Sequence, residues 1–183
     1  MSYITTDNLT NIMAEMTDYC NAACPMCNRF DWDLTLVKGV TNAHHTTLEF
    51  VKEKISKEII SRLKGWVCQG TYGDASMNPE TIDIFKYLRE INPSMEISMY
   101  TNGGARNKDF WKALAELNVI ITFGIDGLED TNHLYRRNVK WDSLMENVKT
   151  FISNGGHAKW DLLVFKHNQH QVDEAEALAM SWG

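Results

Sequence analysis

Five short apolar runs recur along this chain, and helically spaced segments lie between and after them. That alternation limits the fold more than any other feature. Residues 11–17, 66–69, 95–100, 119–125 and 160–165 read as strands. Leu48, Val51, Ile55, Ile59, Ile60 and Leu63 recur at helical spacing behind Thr46 or Thr47, either of which can cap a helix, and Gly65 ends it. Asn78, Pro79 and Glu80 form a second helix start, with a cap, a proline at the first helical position and an acid in the first turn. That helix stops before Pro93. Residues 109–117, 144–152 and 172–180 are further helices, and Gly155 and Gly156 terminate the second of these. Strands alternating with helices predict an α/β fold with a parallel sheet and crossover helices, either open or a partial (β/α) barrel. In both, ligands gather at the carboxyl ends of the strands. The 183 residues suit one domain over 1–183, and neither a repeat nor a linker divides them.

Composition excludes several function classes. A hydrophobic fraction of 44% and a charged fraction of 23% belong to an ordinary globular protein. A net charge of −6 without a dense Lys/Arg run argues against a bare nucleic acid as partner. Residues 1–9 carry Thr, Asp and Asn where a signal peptide has a basic start and an apolar run. No stretch is apolar for long enough to span a bilayer. The expectation is a soluble, cytoplasmic protein that meets no membrane. In a reducing compartment, four cysteines with three inside eight positions point to metal or catalysis more than to disulfides.

Those three are Cys20, Cys24 and Cys27, on a loop directly after the first strand. A mononuclear structural zinc site wants four ligands, and a [4Fe–4S] cubane normally takes four cysteines. Three thiolates leave one iron of a cubane open for a substrate. The alternative is a zinc loop completed by His44 or His45.

The C-x₃-C-x₂-C spacing resembles the radical S-adenosylmethionine (SAM) superfamily. The resemblance implies a [4Fe–4S] cluster on Cys20, Cys24 and Cys27 whose open iron is chelated by SAM. It further implies reductive cleavage of SAM to a 5′-deoxyadenosyl radical that abstracts hydrogen from a substrate. Later segments resemble the family in the family's order. Tyr72, Gly73 and Asp74, after the second strand, look like its "GGE" element, whose backbone meets the SAM ammonium. Asp74 stands for the usual Glu, and Ala75 for a frequent Pro. Thr101 and Asn102 after the third strand resemble its "TNG" strand end. Gly124, Asp126 and the later Arg136 resemble its "SIDG…YR" region, with Gly124 replacing a Ser that contacts the ribose. Arg136, with Arg137 as a near competitor, matches the arginine that meets the SAM carboxylate, a role suited to a guanidinium fork. Asn168 matches a polar position facing the adenosine, and Met26 can pack over the adenine. Each segment has a plainer reading as a turn or a solvated helix face. Cys68, inside an apolar strand, reads as a small buried hydrophobe. Asp31, Trp32 and Asp33 could face a substrate, but a surface loop is the plainer reading.

The resemblance is to the core of the peptide-modifying, SPASM-type branch, without that branch's cysteine-rich C-terminal extension. It implies a partial barrel of about six parallel strands. Five are counted here, so the barrel is expected to be C-terminally short, with a final edge open to self-association. The implied partners are a peptide or protein substrate and an external electron donor of flavodoxin or ferredoxin type. Two further readings stay open: an enzyme acting on a small metabolite or nucleotide, and a non-catalytic iron–sulfur or zinc module that retains the fold. Gly124 and the short C-terminus favour the last.

Overall fold

The computed structural model describes residues 5–182. Met1 to Ile4 and Gly183, which the expected single domain takes in, lie outside the described residues. Five strands form one sheet: β1 (Asn11–Met13), β2 (Gly65–Cys68), β3 (Glu96–Thr101), β4 (Val119–Gly124) and β5 (His157–Asp161). They lie in chain order, and each neighbouring pair is parallel. Seven helices accompany them: α1 (Leu48–Lys54), α2 (Lys57–Arg62), α3 (Thr81–Ile91), α4 (Lys108–Glu116), α5 (Asn132–Tyr135), α6 (Trp141–Ser153) and α7 (Val172–Met180). The α/β alternation and the partial barrel of five parallel strands are therefore as the sequence predicts.

The strand order decides where the core and the site lie. Crossovers between neighbouring parallel strands are right-handed, so an unbroken 1-2-3-4-5 order puts the helices on one face. Strand alternation then divides the side chains. Ile97, Met99, Ile121 and Phe123 point to the helices and are buried with Phe85 and Leu88 of α3, Trp111 and Leu114 of α4, and Leu144 and Phe151 of α6. Phe123 sits between Trp111 and Phe151, with centroids 5.4 and 5.9 Å away. Each such side chain contributes about 1.5–3 kcal/mol by leaving water. The intervening residues Tyr100, Thr122 and Gly124 face the opposite, concave side and stay partly accessible.

Four expected elements differ in detail. The first strand, expected over residues 11–17, ends at Met13. The long first helix is two helices. Ile55 is extended, and the Ser56 hydroxyl accepts from the Ile59 N–H at 3.3 Å, so a mid-segment serine caps a new helix where the apolar spacing alone reads straight through. Thr47 caps α1 by accepting from the Phe50 N–H. Asn78 does not cap α3 directly. Its buried amide donates to the carbonyls of Met16 and Thr46, and α3 begins three residues later. The last strand lies earlier than the apolar run at residues 160–165 suggests. Its partners are residues 120–124 of β4, and the chain leaves the sheet at Asp161 because the Leu163 N–H donates to the Asp126 carboxylate at 2.7 Å. Leu163 and Val164 are consequently exposed. Among the described residues, no helix is long and apolar enough to cross a membrane.

Candidate functional site

The carboxyl ends of the strands close around a cavity of about 200 Å³ on the concave side. Cys20, Cys24 and Cys27 line it together with Gly73, Asp74, Thr101, Asn102, Gly124 and Arg136. Nine of the thirteen sequence-predicted site residues thus converge from five separate stretches of the chain. A larger, more open pocket of about 710 Å³ lies beside it, lined by Asp18, His44, His45, Phe50 and Tyr72, but it holds none of the three thiols. The smaller cavity is the candidate site because the chemically capable groups line it.

The cysteine loop is folded by its own backbone. The Cys27 N–H donates to the Cys24 carbonyl at 3.1 Å, and the Ala22 N–H donates to the Cys20 sulfur at 3.4 Å. The Ala23 N–H donates to the Arg137 carbonyl, which ties the loop to the segment after α5. All three thiols are free. Burial and the Asp74 carboxylate push Cys20 up to about 12, and burial pushes Cys24 up against the opposing charge of Arg136. Loading a metal centre here therefore releases protons.

Asp74 knits the second and third strand ends together. Its buried carboxylate accepts from the Ser76 N–H, the Thr101 hydroxyl, the Asn102 N–H and the Asn102 amide, at 2.7–2.9 Å. The Asn102 amide also donates to Asn21 Oδ1 at 2.9 Å and to the Cys20 sulfur at 3.5 Å. One carboxylate thereby sets the position of a cysteine on another loop. Gly73 is needed for this packing, since a Cβ there would sit 2.1 Å from the Thr17 carbonyl oxygen.

The partly accessible Arg136 and the buried Asp126 form an ion pair, Nε to Oδ2 at 2.5 Å, while Nη1 reaches the Cys24 sulfur at 3.9 Å. Burial opposes the Arg136 charge, but Asp126 and Cys24 outweigh it and hold the guanidinium pKa above its ordinary value. Gly124 makes this possible. A Cβ at that position would lie 2.3 Å from Arg136 Nη2, so a serine here and this guanidinium placement exclude each other. At Gly124 the Arg136 guanidinium takes the space that a side chain would fill.

The other four residues sit outside the cavity lining. Asp126 and Asn168 are wholly buried. The Asn168 amide donates to the carbonyls of Asp126 and Leu163 at 2.9 Å, and its oxygen accepts from the Phe165 N–H. Tyr72 and Met26 are exposed, Met26 at 74%. Trp32 is fully exposed. Cys68 is buried in β2 and stays apart from the other thiols, and burial pushes it up to about 12. His44 Nδ1 lies 2.9 Å from the Thr41 hydroxyl and 3.2 Å from Asp18, and His45 is held by Thr17, so neither histidine joins the cysteines here.

Sequence reasoning missed Asn21, Arg29 and Asp161. Asn21 lies inside the motif but carries no signal of its own. Arg29 is a charge two residues past Cys27, and it becomes informative only through its burial. Asp161 lines the cavity as the last residue of β5, a place hidden by the misplaced strand.

The donor set suits a [4Fe–4S] cluster: three free thiols on one cavity whose lining holds neither a fourth cysteine nor a histidine. Solved structures with this fold include Streptococcus suis SuiB bound to precursor peptide SuiA (TM-score 0.75, 12% identity, covering 95% of this chain and 37% of that one). They also include anSMEcpe with bound AdoMet (TM-score 0.69, 15% identity, 92% and 48%). A third is BtrN in complex with AdoMet and 2-DOIA (TM-score 0.57, 13% identity, 84% and 56%). The chain spans only about 37–56% of the length of these proteins. No curated protein matches it. The family model described as "Radical SAM superfamily" matches residues 14–179, which takes in all three cysteines and every strand end on the cavity, and the chain belongs to that superfamily.

Proposed function

We propose that this chain holds a [4Fe–4S] cluster on Cys20, Cys24 and Cys27, cleaves SAM reductively, and takes hydrogen from a peptide or protein. The observation that carries this reading is the meeting of three free thiols and the Arg136–Asp126 ion pair at one strand-end cavity with no fourth thiol. When bound, the cluster supplies the electron that splits SAM into methionine and a 5′-deoxyadenosyl radical, so the protein's task is placement and exclusion of water.

The residues divide that task. Asp126 occupies Nε of Arg136 and leaves its Nη groups to meet the SAM carboxylate, with the gap at Gly124 keeping them free. Asp74 is consumed by Thr101 and Asn102, so the SAM ammonium is left to backbone carbonyls at residues 70–73. Asn102 orients the Cys20 loop through Asn21. A flavodoxin- or ferredoxin-type donor would deliver the electron. Support for a peptide substrate comes from SuiB, solved with a precursor peptide, and anSMEcpe, solved with AdoMet and the Cp18Cys peptide. BtrN, solved with 2-DOIA, makes a small molecule the competing outcome.

Anaerobic reconstitution should load about four irons per chain. Dithionite and SAM should then yield 5′-deoxyadenosine, and Cys24→Ala should yield none. A chain that loads a single zinc ion, or loads iron and sulfide yet never forms 5′-deoxyadenosine, refutes the reading. Deuterium appearing in 5′-deoxyadenosine from labelled peptides, and not from small metabolites, tests the substrate class.

A further inference from the structure

A buried cation with an idle donor stands beside the three cysteines. Arg29 is 2% exposed and lines the same cavity as Cys20, Cys24 and Cys27. One terminal nitrogen donates to the Asp18 carbonyl at 3.3 Å and to the Asn42 side-chain oxygen. Its guanidinium carbon lies 5.4 Å from the Phe30 ring centroid. The Nε–H is buried and has no partner. Among the described residues no carboxylate forms an ion pair with it, whereas Arg136, the other cavity arginine, has Asp126. A buried, unpaired charge with an unmade hydrogen bond is costly unless something in the site compensates it. The neighbouring groups are three sulfurs that must become thiolates to hold metal.

We propose, resting on the cluster reading above, that Arg29 is the counter-ion of the bound cluster and raises its reduction potential. Three thiolates on an oxidised [4Fe–4S] core leave one net negative charge, and one-electron reduction doubles it. A fixed cation nearby favours the more negative state. Net charge and hydrogen bonds to sulfur are the levers that set such potentials. Arg29 acts through the cluster and touches no substrate, so it is a positioning and tuning residue. Its Asn42 contact assigns it a second, structural part in holding the loop.

The test is an EPR-monitored redox titration of the anaerobically reconstituted full chain, without SAM and with dithionite as reductant. Arg29→Met removes the charge and the contacts to Asp18 and Asn42. Asn42→Ala removes the Asn42 contact and keeps the charge. Arg29→Lys keeps the charge. Arg29→Met should disfavour reduction about tenfold, equivalent to about 59 mV for one electron. Asn42→Ala should leave the potential in place, and Arg29→Lys should recover most of the loss. Should Arg29→Met load no iron, Arg29→Gln, which drops the charge but keeps a hydrogen-bond donor, carries the same expected shift, and an unchanged potential there overturns the proposal. An unchanged potential in Arg29→Met overturns it. So does an equal shift in Asn42→Ala, or a failure of Arg29→Lys to load. A wild-type chain that forms no cluster refutes the underlying reading instead, which keeps the two failures apart.

Discussion

Replacing Asp74 tests whether one carboxylate couples the second and third strand ends. In Asp74→Ala, the N–H groups of Ser76 and Asn102 lose their acceptor. The Thr101 hydroxyl can turn elsewhere, and the Asn102 amide keeps Asn21 Oδ1 at 2.9 Å. Two buried backbone donors left unmade at about 1–3 kcal/mol each give a loss of about 4 kcal/mol. For a chain of this length that lowers Tm by roughly 8–16 °C. Asp74→Asn retains one oxygen for Ser76 and Thr101 but turns an NH₂ toward the Asn102 N–H. It should cost about 2 kcal/mol, or roughly 4–8 °C. The assay is thermal unfolding of the metal-free chain by far-ultraviolet circular dichroism, with reductant and without oxygen. Equal losses in the two variants, or shifts of only about 1 °C in both, would refute the hydrogen-bond account. A thermodynamic cycle with Thr101→Val should show coupling of about 1 kcal/mol, because the two side chains share a bond.

Three other perturbations follow from the same geometry. Gly124→Ala should destabilise by about 1–3 kcal/mol in denaturant unfolding, and the penalty should nearly vanish in an Arg136→Ala background because the clash is with that guanidinium. Burial raises the Asp18 pKa, but hydrogen bonds from Thr41 and His44 outweigh it and hold the carboxyl well below the ordinary Asp range. A lowered folded-state pKa adds stability that is complete above about 4 and is lost as pH falls below it, so Asp18→Asn should flatten the acid limb of a stability–pH profile. Cys68→Ala should leave reconstituted iron content at the wild-type level, whereas alanine at Cys20, Cys24 or Cys27 should abolish it, as measured by iron and sulfide analysis.

The sequence by itself determined the fold class and most of the candidate site. Periodicity is a local property, so β3, β4, α4 and α7 fall within a residue or two of where apolar spacing puts them. Cysteine spacing is equally local, and each later motif sits at a strand's carboxyl end, which the parallel topology brings to one place. Tertiary structure decided the rest, because burial and long-range hydrogen bonds have no signature in local spacing. Leu163 leaves the sheet because its N–H is claimed by Asp126, 37 residues away. Asp74 is seen to tie two strand ends only once Thr101 and Asn102 are placed around it. Gly124 reads as a lost serine until the Arg136 side chain is seen to occupy its place. Arg29 is an ordinary charge in the sequence, and only packing makes it a buried cation beside three sulfurs.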